Sequence, residues 1–196
     1  MDPHPFELTL TLPAWAPGHL AGLPDRMPAP EQRMALILDL ARLNFERDTG
    51  GPFAAGVFER DSGRLVALGV NRVVASGCSG AHAEVLALGL AQKRIGRYDL
   101  GGPGLPDHEL VVNWRPCAMC YGALLWSGVR QLTIPGSGPE LEALTGFDEG
   151  PLHPDWEQEL ARRGISTRQG VLRAEAVALF QTFQESARLV YNARRG

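Results

Sequence analysis

The sequence predicts an α/β fold, a mostly parallel or mixed sheet covered by helices on both faces. Three observations lead there. Strand-like and helix-like segments alternate along the chain from Glu31 onward. Of the 196 residues, 44% are hydrophobic and 21% charged, an ordinary globular composition that excludes a disordered chain, a collagen or a coiled-coil rod. The length suits one domain with a core large enough to fold without disulfide staples.

The elements follow in order. Seven of the fifteen prolines fall within the first thirty residues. Proline fixes φ and lacks an N–H, so residues 1–30 read as an extended, Pro-rich arm. The remainder, 31–196, carries everything else. Met34, Ile37, Leu38, Ala41 and Phe45 fall on one face at helical spacing. Asp48 to Pro52 breaks that helix. Phe53 to Phe58 reads as a strand, Asp61 to Gly63 as a hairpin turn, and Leu65 to Val74 as the second strand. Small residues from Ser76 to Gly80 make a loop. A helix from Ala81 to Ile95 turns Val85, Leu88 and Ala91 inward. After a loop over Gly101 to Asp107, Glu109 to Asn113 is a strand. Pro116 opens a helix that runs to Trp126, proline being suited to a first helical position. Val129 to Ile134 is a strand, Pro139 to Leu144 a short helix, and Asp155 to Arg163 another. A short strand near Ile165 and an alanine-rich helix from Ala174 to Asn192 complete the chain.

The formal charge is −3, so no broad positive field attracts a polyanion. Nucleic acid is an unlikely partner on that ground. No stretch approaches the ~20 apolar residues of a membrane span, and no secretory signal opens the chain. Three cysteines argue against a disulfide scaffold and for a reducing compartment or a metal site, so a cytoplasmic address is expected.

Two short segments carry the chemistry: His82-Ala-Glu84, and Pro116-Cys-Ala-Met-Cys120. Cys117 and Cys120 are three apart, which on a helix sets both sulfurs on one face. Both sit at a helix N-terminus, where free N–H groups favour thiolates. Thiolates bind zinc, and a neutral His82 imidazole makes a third ligand. Three protein ligands leave one tetrahedral position for water, whose pKa falls to about 7 on zinc. Glu84 stands in the same turn as His82 and can hold a proton beside that water. The competing reading is a closed zinc knuckle, which needs a fourth ligand. Cys78 and His108 are the candidates for it. Taken singly, His82 reads as a capping histidine, Glu84 as a first-turn acid and Cys78 as a small loop residue. No P-loop, G-x-G-x-x-G, G-x-S-x-G or H-E-x-x-H is present.

Together the two segments form H-x-E…P-C-x-x-C, the signature of zinc nucleobase deaminases. The chain therefore resembles the cytidine/deoxycytidylate deaminase superfamily. That resemblance implies a three-layer α/β/α sandwich with a central five-stranded mixed sheet, one Zn2+ per subunit, and zinc at the N-terminal ends of two helices. Within the superfamily the chain is most similar to bacterial guanine deaminases, some of which also accept aminotriazines such as ammeline. The likeness lies in Gly50 to Ala55, Phe58 to Gly63, Asn71 to Val74, Ala81 to Glu84, Trp126 to Arg130, Gly146 to Pro151 and Tyr191 to Arg194. It implies that Asn71 hydrogen-bonds the base, Phe53 stacks on it and Trp126 helps wall the pocket. Ala83, Trp114 and Tyr191 join these as substrate contacts. Glu149 is implied as the second carboxylate, beside the leaving amine, with Asp148 its alternative. Each residue also has a plainer reading: core packing for Phe53 and Trp126, a turn for Asn71, solvated loop acids for Asp148 and Glu149. One departure stands out. The run Asn113-Trp114-Arg115 replaces the small residue and Glu that usually precede Pro-Cys, reversing a charge beside the metal loop.

The expected activity is hydrolytic deamination of a purine-like base, with guanine giving xanthine and ammonia. The alternatives are another aminated heterocycle (an s-triazine, cytosine or a nucleoside), or tRNA adenosine. A non-enzymatic reading is a zinc module whose Pro-rich arm binds a protein. The resemblance further implies a homodimer in which the C-terminal helix of one subunit reaches its partner's site and Tyr191 to Arg194 covers the pocket.

Overall fold

A computed structural model of the chain describes residues 6–192. Two of the seven prolines counted in the first thirty residues, Pro3 and Pro5, lie outside that range, as does Arg194. Strand β1 (Ala54–Glu59) and strand β2 (Leu65–Val70) pair antiparallel as a hairpin. Gly63 closes it at φ 69°, a left-handed conformation that glycine adopts without penalty. On its other side β1 pairs antiparallel with β3 (His108–Val112). Strands β4 (Gln131–Thr133) and β5 (Ser166–Arg168) then add in parallel. The order β2-β1-β3-β4-β5 makes one five-stranded mixed sheet, as expected. β3 is buried along its whole length and β1 nearly so, which requires helices on both faces.

Those helices split the core in two. On one face α2 (Pro30–Glu46) and α8 (Arg173–Glu185) supply Met34, Ile37, Phe45, Phe180 and Phe183. On the other, α4 (Ala83–Ile95) and α5 (Ala118–Ser127) supply Ala87, Leu88 and Leu124. The five apolar positions that predict α2 are all buried. Arg33 on the same helix is also buried. It pairs with Glu109 of β3, and its Nε donates to Met27 O at 2.7 Å. Gln131 and Thr133 complete the acceptor side of Glu109 at 2.9 and 3.1 Å.

Several boundaries differ from expectation. The second strand stops at Val70, because the Asn71 side chain accepts the Val73 N–H at 3.3 Å and starts a one-turn helix, α3 (Val73–Ser76). Val85 is only half-buried; Ala83, Ala87, Leu88 and Ala91 form the inner face of α4. The arm is not wholly extended. It contains α1 (Ala16–Ala21), and Trp15 docks it by donating to Thr49 Oγ1 at 3.1 Å. The last helix ends at Glu185 rather than Asn192. Ala187 at φ 49° turns the chain, and the segment after it brings Tyr191 to Asn71 and Asn192 to Gly146. Phe180 and Phe183 of α8 are buried in the core. The remaining helices are α6 (Glu140–Thr145) and α7 (Trp156–Arg162), which carry the chain from β4 to β5.

Candidate active site

The site forms where two helices begin. His82 is the N-cap of α4 and Cys117 the N-cap of α5, each in extended conformation, one residue ahead of the helix expected to contain it. Pro116 accordingly precedes the cap instead of opening the helix. Helix α4 reaches this position because β2 carries Gly69. A Cβ there would meet Ala83 O at 2.0 Å and Ala87 N at 2.6 Å, so only glycine lets the helix lie so close to the sheet.

The donor atoms of His82, Cys117 and Cys120 all lie within 4.8 Å of one another, and Cys117 Sγ is 3.6 Å from His82 Nδ1. A tetrahedral zinc ion with its usual bond lengths needs donors about 3.5–3.8 Å apart, so the set fits it. Among the described residues no other His, Cys, Asp or Glu joins this cluster. Cys78 does not approach it. His108 is buried elsewhere, its Nδ1 2.7 Å from Leu100 O. The closed knuckle therefore lacks its fourth ligand.

The two thiols share a proton. The Cys120 thiol beside Cys117, with help from His82, holds the Cys117 thiol down at about 4, while Cys120 is pushed well up. One sulfur is thus a thiolate at neutral pH even before a cation arrives. Burial disfavours charge on His82, but the adjacent thiolate and carboxylates outweigh it and raise its pKa. Burial, then the Cys117 charge, raises Glu84. The same two causes, with Glu84 added, push Glu149 up to about 8.

These groups open into a cavity of about 290 Å³. That is room for a single small heterocycle. Glu84 and Glu149 both line it, as do Phe53, Trp114 and Tyr191. Glu149 is fixed through its main chain, since its carbonyl accepts the Ala118 N–H at 3.0 Å and caps α5. Asp148 instead folds its carboxylate back onto the Gly150 N–H at 2.9 Å and is exposed. Phe53 stands edge-on to Phe147 with ring centroids 5.0 Å apart. The Trp114 indole is buried, donates to Gly138 O at 3.1 Å and presents one side to the cavity.

Three expected contacts are placed differently. Trp126 is 84% exposed and does not line the cavity. It lies nine residues beyond Cys117, half a helical turn out of phase, so α5 points it away from the metal ligands. Ala83 is fully buried against Gly69, with no side-chain atom on the cavity. Asn71 sits behind the cavity wall, where its Nδ2 donates to the Tyr191 hydroxyl. Conversely, Phe147 lines the cavity, although the sequence marks it only as a member of the run Gly146 to Pro151. Its signal was the apolar residue inside Gly146 to Pro151. Arg115, noted as a departure, also lines it.

Residues 27–135 match the zinc-binding region of cytidine and deoxycytidylate deaminases. The chain belongs to this family of zinc-dependent deaminases, and zinc is the ion that its His82, Cys117 and Cys120 donors would hold. Within the family it is similar to guanine deaminase of Bacillus subtilis, 31% identical over 138 residues, which span 70% of this chain and 83% of that one. It is also similar to the solved guanine deaminase from Nitrosomonas europaea, 46% identical with a TM-score of 0.87, over 94% of this chain and 100% of that one. A further solved chain, in complex with 2,6-diaminopurine, is 47% identical with a TM-score of 0.87 over 96% and 98% of the two chains.

Proposed function

We propose that this chain hydrolyses guanine to xanthine and ammonia. The observation that carries the reading is a His82–Cys117–Cys120 cluster at the wall of a cavity that also holds two carboxyl groups, Glu84 and Glu149, raised above their ordinary values. Similarity to two guanine deaminases and to a chain that binds a diaminopurine supports a purine in that cavity. When bound, zinc supplies a water acidic enough to ionise near neutral pH. Glu84 takes up that water's proton and delivers it to the ring nitrogen next to the amine-bearing carbon. Glu149, protonated at neutral pH because its pKa is about 8, donates to the leaving amine. A C–O bond forms and the C–N bond breaks. One proton of water ends on the ring nitrogen; the other, carried by the new hydroxyl, passes to Glu149 as the oxo group forms and replaces the proton that Glu149 gave to ammonia. Phe53 and Phe147 wall the ring plane, and the Tyr191 hydroxyl, held from behind by Asn71 Nδ2, offers a hydrogen bond at its edge.

The deaminase domain comprises residues 31–196, with 1–30 as its strap, and works in a reducing, cytoplasmic compartment. All three cysteines are unbridged, and two of them serve the metal. Among the described residues no helix is long and apolar enough to cross a membrane. The active form is a homodimer. Met119 and Trp126, on the outer face of α5, are 42% and 84% exposed, and that helix carries no charged residue. A second copy of the chain suits this stripe.

Ammonia release from guanine, ammeline, cytosine, adenine and their nucleosides by zinc-loaded protein tests the function. Guanine is expected to be deaminated fastest. No ammonia from guanine, with release from another base, rejects the assignment.

A further inference from the structure

Arg115 supplies the only Arg or Lys side chain among the described residues that line the cavity. Its main chain is fixed, with its N–H donating to Gly136 O at 3.0 Å and the buried Trp114 and Pro116 on either side. Gly136 lies so close that an added Cβ would meet the Trp114 ring at 2.7 Å. From this anchored start the side chain enters the cavity with a buried Nε that has no hydrogen-bond partner. Among the described residues no carboxylate lies within 4.0 Å of its guanidinium. Other arginines with buried stems are matched: Arg33 by Glu109 and two carbonyls, Arg72 by Thr49 O. A buried N–H without an acceptor is costly, and such groups are normally satisfied.

A guanidinium donates and never accepts. We propose that Arg115 is a specificity-determining residue, which holds an oxo group on the edge of the bound heterocycle. This rests on the purine-deaminase reading above and adds to it the edge chemistry the site selects. Guanine carries an oxo acceptor. In 2,6-diaminopurine an amino donor replaces it and would face the Arg115 N–H groups donor to donor. A site built to satisfy one partner rejects the analogue that leaves it unpaired.

The test is kcat/KM for guanine and for 2,6-diaminopurine with zinc-loaded wild type, Arg115→Met and Arg115→Gln. Wild type should favour guanine by about tenfold or more, the scale of one charge-assisted hydrogen bond. Arg115→Met should erase most of that preference by raising KM for guanine, with 2,6-diaminopurine changed less than about threefold. Arg115→Gln should show the same loss and stands in if the Met variant does not fold or hold zinc. A wild type that does not discriminate, a variant that keeps the full preference, or an equal fall in kcat on both purines overturns the proposal. The last result would mean that Arg115 acts on Glu149 rather than on the base. If neither purine is deaminated, the functional reading fails by itself. The Arg115 assignment is then decided by the dissociation constants of the same two purines, with the same tenfold expectation.

Discussion

Glu84 and Glu149 are both carboxyls beside one metal site, yet their settings differ. Glu84 lies in the first turn of α4, two residues after His82, whereas Glu149 comes from a loop whose carbonyl caps α5. The Glu84→Gln variant should keep one zinc per chain and lose at least about 10²-fold in kcat, the usual worth of a general acid–base group. Metal analysis and steady-state ammonia release check both halves, and wild-type turnover would remove Glu84 from the chemistry. At this scale the sequence was most informative where chemistry depends on spacing. His82, Glu84, Cys117 and Cys120 needed only their intervals. Trp126 shows the limit: a matching run carried it into the pocket, but helix phase turns it outward. Phe147 and Arg115 become pocket residues only through the packing of distant segments, which no local pattern records.

At the scale of elements, the close approach of α4 to β2 is what brings His82 and Glu84 to the cysteines. Gly69→Ala should therefore lower the melting temperature and weaken zinc affinity together, with overpacking costing ~1–3 kcal/mol. An unchanged zinc affinity would show that α4 can shift without moving the ligands. The β1–β2 hairpin carries a pH-sensitive tie. Glu59 pairs with Arg64 and accepts the Ser62 hydroxyl at 2.6 Å, which lowers its carboxyl from 4.5 to about 2. The unfolded chain thus binds this proton before the folded one does. The stabilisation is present above pH 4.5 and is lost as the pH falls toward 2. Glu59→Gln should flatten the stability–pH slope in that window, measured by denaturant unfolding. An unaltered slope would dismiss the tie. Helix and strand identities were legible from periodicity. Their ends were not, because Asn71 stops β2 with its side chain and Ala187 ends α8 through backbone that packing dictates.

Across the whole molecule, the alternation of elements sufficed to predict layers on both faces of a mixed sheet. The count of five strands came from family resemblance, and the order β2-β1-β3-β4-β5 from the structure alone. The buried Arg33–Glu109 pair was invisible, since a charged residue on an apolar helix face reads as solvated until a strand supplies its partner. The proposed dimer places the α5 stripe at its centre. Light scattering should give twice the 21.2 kDa chain mass for wild type and a single chain for Trp126→Glu. A monomeric wild type would leave the stripe to another partner. The whole account depends on a metal held by three side chains with one position left for the reacting water. X-ray absorption at the zinc edge of the loaded protein reads that arrangement directly. Two sulfurs near ~2.3 Å, one imidazole nitrogen and one non-protein oxygen near ~2.0 Å are expected. Four side-chain donors around the ion, or no stoichiometric zinc, would contradict it.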